Sequence, residues 1–410
     1  MYNFTHEAYR ILSTANTAVH HKKIIVYGYN STLSELNLVT INGIPMSLIA
    51  DLLKKPFFHY LPIFFVLLLF GSSCNSSKPD GTLDNTVILI SLDGFRYDYL
   101  ELAETPGFDE LVETGVKAEG LIPVFPSKTF PNHYSQVTGL HPDNHGLIAN
   151  TMYDPEDDTW FKIGQGSTAV LESKWYGGEP IWVTAELQNM IAATYFWPGS
   201  EAEIKETRPT YFEAYDGSVP NENRINQVLA WLDLPVDQRP QLITLYMNDT
   251  DDAGHADGPK SEHAASAVKS LDKEIQLLLA GLKQRNILNQ VNIIIVSDHG
   301  MSQLSRDRVI FIDDYIDLDE VTMVDWSPNS MIIPNDGKED TIYMALKDMH
   351  PNMRVFKKGE IPDYLNFNNN RLIPPIICIA DDGWSITTRE MFNSRPNAFT
   401  AVSYTHLTLP

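Results

Sequence analysis

The segment TVILISL, residues Thr86 to Leu92, runs straight into Asp93-Gly94, and the pattern recurs twice further along the chain. Gln241 to Met247 (QLITLYM) runs into Asn248-Asp249-Thr250-Asp251, with His255 close behind, and Asn292 to Ser297 (NIIIVS) runs into Asp298-His299-Gly300. Short, β-branched, uninterrupted apolar runs of this kind are the signature of strands buried on both faces of a parallel sheet. Between the last two, Val268, Leu271, Ile275, Leu278 and Leu282 recur at spacings of three and four from Ser261 to about Leu288. Ile225, Val228, Leu229 and Leu232 repeat that period over Asn223 to Leu234. Strand alternating with amphipathic helix predicts an α/β fold with a central, mostly parallel sheet flanked by helices.

Ligands in such folds bind beyond the carboxyl ends of the strands. A single Asp after a strand is ordinarily a helix cap or a turn residue. Asp93, Asp251, His255, Asp298 and His299 converging at one sheet edge are different, because several carboxylates brought together repel one another unless a cation joins them. A divalent metal site is the economical reading. Asp and His donors without Cys suit Zn²⁺, with Mn²⁺ or Fe also compatible.

Pro123 to Gly146 reads PVFPSKTFPNHYSQVTGLHPDNHG. Pro131, two residues after Thr129, suits the first turn of a helix and puts Thr129 at its N-terminus. A hydroxyl there lies near the positive end of the helix dipole and, bound to a metal, can ionise near neutral pH and attack phosphorus.

Together with SLDGFRYDYL, FPSKTFPNHYSQVTGL, IANTMYDP, GGEPIW, FWPGS, DDAGH and SDHGM in order and spacing, the chain from Thr86 to Thr400 resembles the nucleotide pyrophosphatase/phosphodiesterase family of the alkaline phosphatase superfamily. The resemblance implies an alkaline-phosphatase-like fold and two Zn²⁺ per chain. Asp93, Thr129, Asp298 and His299 would hold one zinc, and Asp251 and His255 the other. Thr129 would be the nucleophile that becomes a phosphothreonine, and Asn150 would donate to a nonbridging phosphate oxygen. Phe130 and Tyr215 would flank a nucleotide base, with Trp197 and Tyr246 nearby, ordinary core packing being the alternative for these aromatics. The implied reaction is hydrolysis of nucleotide phosphodiester or pyrophosphate bonds with release of a nucleoside 5′-monophosphate. A phosphomonoesterase, phosphonate hydrolase or choline-phospholipid diesterase of the same superfamily is the alternative.

The family pattern departs near the end. Gly383-Trp384-Ser385-Ile386 is present, but AVSYTHLTLP replaces the Gly-rich segment that carries a third ligand of the second zinc, and His406 lacks the surrounding glycines and acid. Residues 401–410 therefore read as a non-native tail, the catalytic domain as 86–400 and incomplete, and the second zinc site as short of a ligand. A catalytically dead surface-binding protein is the reading this opens from another class.

Ahead of the domain, Lys54-Lys55, the fourteen largely apolar residues Phe57 to Phe70, and Gly71-Ser72-Ser73-Cys74 are the parts of a secretory signal. As a helix the run rises ~21 Å, short of the ~30 Å hydrocarbon core. Cys74 resembles the lipid-bearing residue of a bacterial lipoprotein. Met46 precedes the signal at a fitting distance, so residues 1–45 read as a non-native extension, 46–73 as the signal and 74–85 as a tether. The expected location is outside a bacterial cytoplasm, facing the periplasm or cell surface, with membrane contact only through a lipid on Cys74. Cys378 is then without a partner.

Charge and composition bound the rest. Of 410 residues, 53 are acidic and 30 basic, a net charge of −23, with +2 on residues 1–73 and −25 on the remainder. Stable binding to a nucleic-acid backbone, which rests on Lys and Arg, is not expected on that balance, and the substrate the resemblance implies is a small-molecule nucleotide or other phosphodiester. Hydrophobic residues at 43% and charged at 20% mark a packed globular chain, and two cysteines exclude a disulfide framework.

Overall fold

Seven strands, every neighbouring pair parallel, make the central sheet of this computed structural model, which describes residues 23–25, 86–164, 166–394 and 402–404. They are β1 (Lys23–Ile25), β2 (Thr86–Leu92), β3 (Gly115–Lys117), β4 (Ala192–Tyr195), β5 (Tyr211–Glu213), β6 (Leu242–Met247) and β7 (Val291–Val296). Their order across the sheet is β3-β1-β7-β2-β6-β4-β5. The apolar run of β2 is explained by its neighbours: Ile88, Ile90 and Leu92 point to one face, Leu89 to the other, and both faces are covered.

Helices α1 (Pro106–Thr114), α3 (Asn221–Leu232) and α5 (Glu262–Gln284) bury Phe108, Leu111, Ile225, Val228, Val268, Leu271, Ile275 and Leu278 against the first face. Each such side chain contributes roughly 1.5–3 kcal/mol on leaving water, so this single layer outweighs any local helix propensity. α5 begins at Ser261, whose Oγ accepts the Ala264 N–H at 3.1 Å. That cap accounts for the sharp start of the apolar period. The opposite face carries α2 (Thr129–Thr138) and the segment around Leu147, Ile148, Trp175 and Trp182. α4 (Asp249–Asp257) comes directly after β6.

A second sheet, antiparallel, was not foreseen from the sequence. It comprises β8 (Val321–Asp325), β9 (Asn329–Pro334), β10 (Met353–Lys357) and β11 (Ile376–Ala380) in the order β8-β9-β11-β10. Cys378 is buried within β11 and forms no disulfide, and burial pushes its thiol up to about 12. Two short pieces of the flanking segments are described. β1 pairs with β3 and β7, and Val402–Tyr404 pairs antiparallel with Met301–Gln303. The signal segment, Cys74 and His406 lie outside the described residues.

Candidate active site

Because β6, β2 and β7 are adjacent, their carboxyl ends deliver Asp251, Asp93 and Asp298 to one edge of the sheet. Short hydrogen bonds stitch the three ends together. Gly94 N–H donates to Asp298 Oδ1 (3.1 Å), Phe95 N–H to Ser297 Oγ (3.0 Å), and Thr250 Oγ1 to the Asp93 carbonyl (2.6 Å). Gly94 has φ +64°, and a Cβ there would lie 3.1 Å from Asp251 Cα. Any side chain at 94 would push the end of β2 away from α4.

Asp93, Asp298 and His299 are all buried and offer ligand atoms within 4.8 Å of one another. His299 Nδ1 is 3.0 Å from the Gly300 carbonyl, which can only accept, so in the neutral ring Nε2 carries the lone pair. Nε2 faces Asp298 Oδ2 at 3.1 Å, Thr129 Oγ1 at 3.4 Å and Asp93 Oδ1 at 3.5 Å. Burial, then the charges of Asp298 and Asp251, hold the Asp93 carboxyl well above its ordinary value. One turn into α4, His255 Nε2 lies 3.4 Å from Asp251 Oδ1. Burial opposes a charged His255 ring, but the adjacent Asp251 carboxylate, with Asp252, outweighs it and raises the pKa.

The donor set fits metal. Asp93 Oδ1, Asp251 Oδ1 and Asp298 Oδ2 are buried and accept no hydrogen bond. Each unsatisfied buried acceptor costs about 1–3 kcal/mol, more when charged, and a cation shared between them removes that cost. Carboxylate oxygens and imidazole nitrogens suit Zn²⁺. Among the described residues, Asp93, Asp298 and His299 are the one group of three that meets this geometry, whereas Asp251 and His255 stand as a pair.

Thr129 opens α2, preceded by the extended Lys128, and is 8% exposed. Its setting is unusually polar for a buried helix. The Asn132 amide donates to the carbonyls of Pro126 and Lys128 (both 3.0 Å) and accepts from Val124 N–H (2.7 Å), tying down the loop that precedes the nucleophile candidate. His133 Nδ1–H donates to the Thr129 carbonyl and its Nε2 accepts from Ser91 Oγ, both at 2.8 Å. Burial lowers the His133 pKa, keeping the ring in that neutral tautomer. Lys128 Nζ is ion-paired with Asp325 of β8, so the antiparallel sheet braces the same turn. Asn150 Oδ1 accepts Phe130 N–H at 3.0 Å. That fixes the amide's orientation and leaves Nδ2 as the donor for a ligand oxygen.

A sequence model of the family "Type I phosphodiesterase / nucleotide pyrophosphatase" matches residues 87–401. Human ectonucleotide pyrophosphatase/phosphodiesterase family member 5 is 38% identical over 330 residues, 80% of this chain and 68% of that protein. A bis(5′-adenosyl)-triphosphatase from Xenopus laevis is 38% identical over 331 residues, 80% of this chain and 72% of that one. The solved structure of murine ectonucleotide pyrophosphatase/phosphodiesterase 5, an inactive threonine-to-alanine variant in complex with AMP, superposes with TM-score 0.74 at 36% identity, covering 78% of this chain and 84% of that chain. The chain belongs to this family. It is an enzyme of the type I phosphodiesterase/nucleotide pyrophosphatase class, within the alkaline phosphatase superfamily, and its central parallel sheet is the family's.

The aromatic residues singled out from the family pattern separate by burial. Tyr215 is 40% exposed, its ring 5.3 Å from Phe196 and 6.2 Å from Tyr246. Phe130 is half-buried, edge-on to Phe161 at 5.6 Å. Tyr246 is buried and donates its hydroxyl to Asp93 Oδ2 at 2.5 Å. Trp197 is 1% exposed, and its Nε1–H is committed to the His133 carbonyl at 3.2 Å. Sequence reasoning passed over Lys128, Asn132 and His133. The available signal was a helix whose buried face carries Asn132, His133, Ser135 and Thr138 in place of aliphatics.

Proposed function

We propose that this enzyme hydrolyses nucleotide phosphodiester or pyrophosphate bonds through a covalent phosphothreonine at Thr129, with two Zn²⁺ held by Asp93, Thr129, Asp298 and His299 and by Asp251 and His255. The observation that carries the reading is Thr129 Oγ1, 3.4 Å from the Nε2 of a buried histidine that faces two buried carboxylates. Bound there, divalent zinc would supply the positive charge that lets a hydroxyl ionise near neutral pH. The start of α2 adds a favourable dipole worth only about 0.3–1 kcal/mol, so the helix assists but does not by itself activate the hydroxyl.

Thr129 Oγ, its proton released to solvent, forms the bond to phosphorus as the bond to the leaving oxygen breaks, and that oxygen takes a proton from solvent. Water then attacks the phosphothreonine, one of its protons passing by way of solvent to Thr129 Oγ as that oxygen departs, giving the 5′-monophosphate. Asn150 Nδ2 donates to a nonbridging oxygen. Tyr215 and Phe130 flank the base, while Tyr246 and Trp197 act from behind, through Asp93 and through His133. The AMP complex of the murine relative supports a nucleotide ligand.

The test is direct. Purified protein should release p-nitrophenol and TMP from p-nitrophenyl thymidine 5′-monophosphate, lose the activity in excess chelator and regain it with Zn²⁺. Full activity retained while metal analysis shows an empty site would sink the mechanism. Among the described residues Asp251 and His255 stand as a pair, which favours one second reading, a chain that binds nucleotide without turnover. In that case AMP would bind, under two zincs per chain would be found, and no TMP would appear.

We further propose export with a lipid on Cys74, as in a bacterial lipoprotein. Labelled palmitate should enter the protein in a bacterial host and be absent from Cys74→Ser; equal labelling of both would refute it.

A further inference from the structure

Arg224 of α3 is 2% exposed, yet among the described residues no carboxylate pairs with it, and Asp249 acts on it only at longer range. A buried guanidinium with no ion pair is costly and needs another use. Its contacts show one. Nε donates to the Val219 carbonyl (3.1 Å), and Nη1 donates to the Tyr246 carbonyl (3.0 Å) and reaches Asn248 Oδ1 (3.4 Å). Its Cζ lies over the Phe196 ring, 4.9 Å from the centroid.

Phe196 itself is held at φ +64°, a conformation that bulky side chains avoid unless their surroundings enforce it. Its ring carries Tyr215 on one side at 5.3 Å and packs on Tyr195 at 4.6 Å. Arg224 thus grips a strained aromatic, the end of β6 at Tyr246, and Asn248, the residue just before α4, whose Nδ2 donates to Asp252 Oδ2 at 2.6 Å.

We propose that Arg224 is a positioning residue that clamps the Phe196–Tyr215 wall to the end of β6 and the start of α4, setting the distance between the base-facing ring and the metal-binding edge. The inference rests on the reading of Tyr215 as a base-flanking residue. A guanidinium suits this role where an ammonium would not, because only the planar fork can donate to several carbonyls while stacking on a ring.

The experiment compares two diesters with the same leaving group. p-Nitrophenyl thymidine 5′-monophosphate carries a base; bis(p-nitrophenyl) phosphate does not. For Arg224→Met, KM for the nucleotide should rise at least tenfold more than KM for the base-less diester, with kcat for both falling less than KM rises. AMP affinity by calorimetry should fall by a similar factor. Arg224→Lys should fall short of rescue. A cleft of about 410 Å³ is lined by Arg224, Asn221, Asn248, Asp249 and Asp252, so millimolar guanidinium should restore nucleotide KM in Arg224→Met where urea does not.

If the parent enzyme shows no preference for the base-bearing diester, the base-flanking reading falls and this inference with it. If the parent shows the preference but Arg224→Met shifts both substrates equally, only the inference is overturned. Should Arg224→Met fail to fold, Phe196→Leu removes the ring on which the guanidinium lies and should raise nucleotide KM selectively. An unchanged substrate ratio in Phe196→Leu overturns the proposal.

Discussion

Asp93→Asn should make the metal-free protein more stable while abolishing activity. In the parent, Asp93 Oδ1 is a buried acceptor without a hydrogen bond, facing His299 Nε2 at 3.5 Å, and Asp298 and Asp251 raise the cost of its charge. The amide introduced by Asp93→Asn keeps an oxygen for the Tyr246 hydroxyl, now bonded to Asp93 Oδ2 at 2.5 Å, and turns a donor toward the His299 lone pair. Relief of one unsatisfied buried acceptor is worth about 1–3 kcal/mol, hence a rise of a few degrees in Tm for the apo protein.

The sign with pH comes from the raised pKa. The folded state binds more protons than the unfolded one above the ordinary value of 3.8, so the parent's stability from this group is complete below that value and is lost as pH rises through the folded pKa. The gap between Asp93→Asn and parent should therefore widen from pH 5 to pH 8. Zinc reverses the ranking. At a hundred times its Kd a ligand stabilises by about 2.7 kcal/mol, which the parent gains and the variant, with a neutral weak donor, largely forgoes. Thermal melts of both proteins, with chelator and with Zn²⁺, at pH 5 to 8, measure all four states. The reasoning fails if apo Asp93→Asn melts below apo parent at pH 8, or if zinc stabilises the two equally.

Thr129→Ala should lose at least ~10³ of the rate, with Thr129→Ser retaining part of it because the hydroxyl survives; an Ala variant within tenfold of the parent would assign the attack to water. Lys128→Met strands the half-buried Asp325 carboxylate and should destabilise by up to about 3 kcal/mol in urea melts, a cost that shrinks as falling pH protonates Asp325, whose pKa burial already raises; no loss at pH 8 would show the pair to be dispensable. Asn150 is neutral, so kcat/KM for nucleotide diesters should exceed that for simple phosphomonoesters by about 10² or more, and an equal or reversed ratio would move the enzyme to another branch of its superfamily.

The amino-acid sequence alone determined the buried strands and the acidic residues that stand directly after them. A strand covered on both faces must be apolar throughout, so TVILISL, QLITLYM and NIIIVS announced β2, β6 and β7 within a residue of their observed bounds. One acid beyond such a strand is ordinarily a cap or turn residue, but three strand ends carrying acid and imidazole together made Asp93, Asp251, His255, Asp298 and His299 legible as candidates, and Thr129 came with the helix start that Pro131 marks. The antiparallel sheet escaped because β8 to β11 carry no uniform period: β8 is only half-buried, whereas β9 and β11 are largely buried. Only the tertiary structure decided that Trp197 is enclosed and Tyr215 is 40% exposed, since exposure depends on which chain segments close over a ring, and no local pattern records that. The same holds for Lys128 with Asp325, 197 residues apart, and for Arg224, which looks like any charged helix residue until the fold buries it against Phe196 and Tyr246. Long-range pairing of polar groups is set by strand order, and strand order is a property of the assembled sheet.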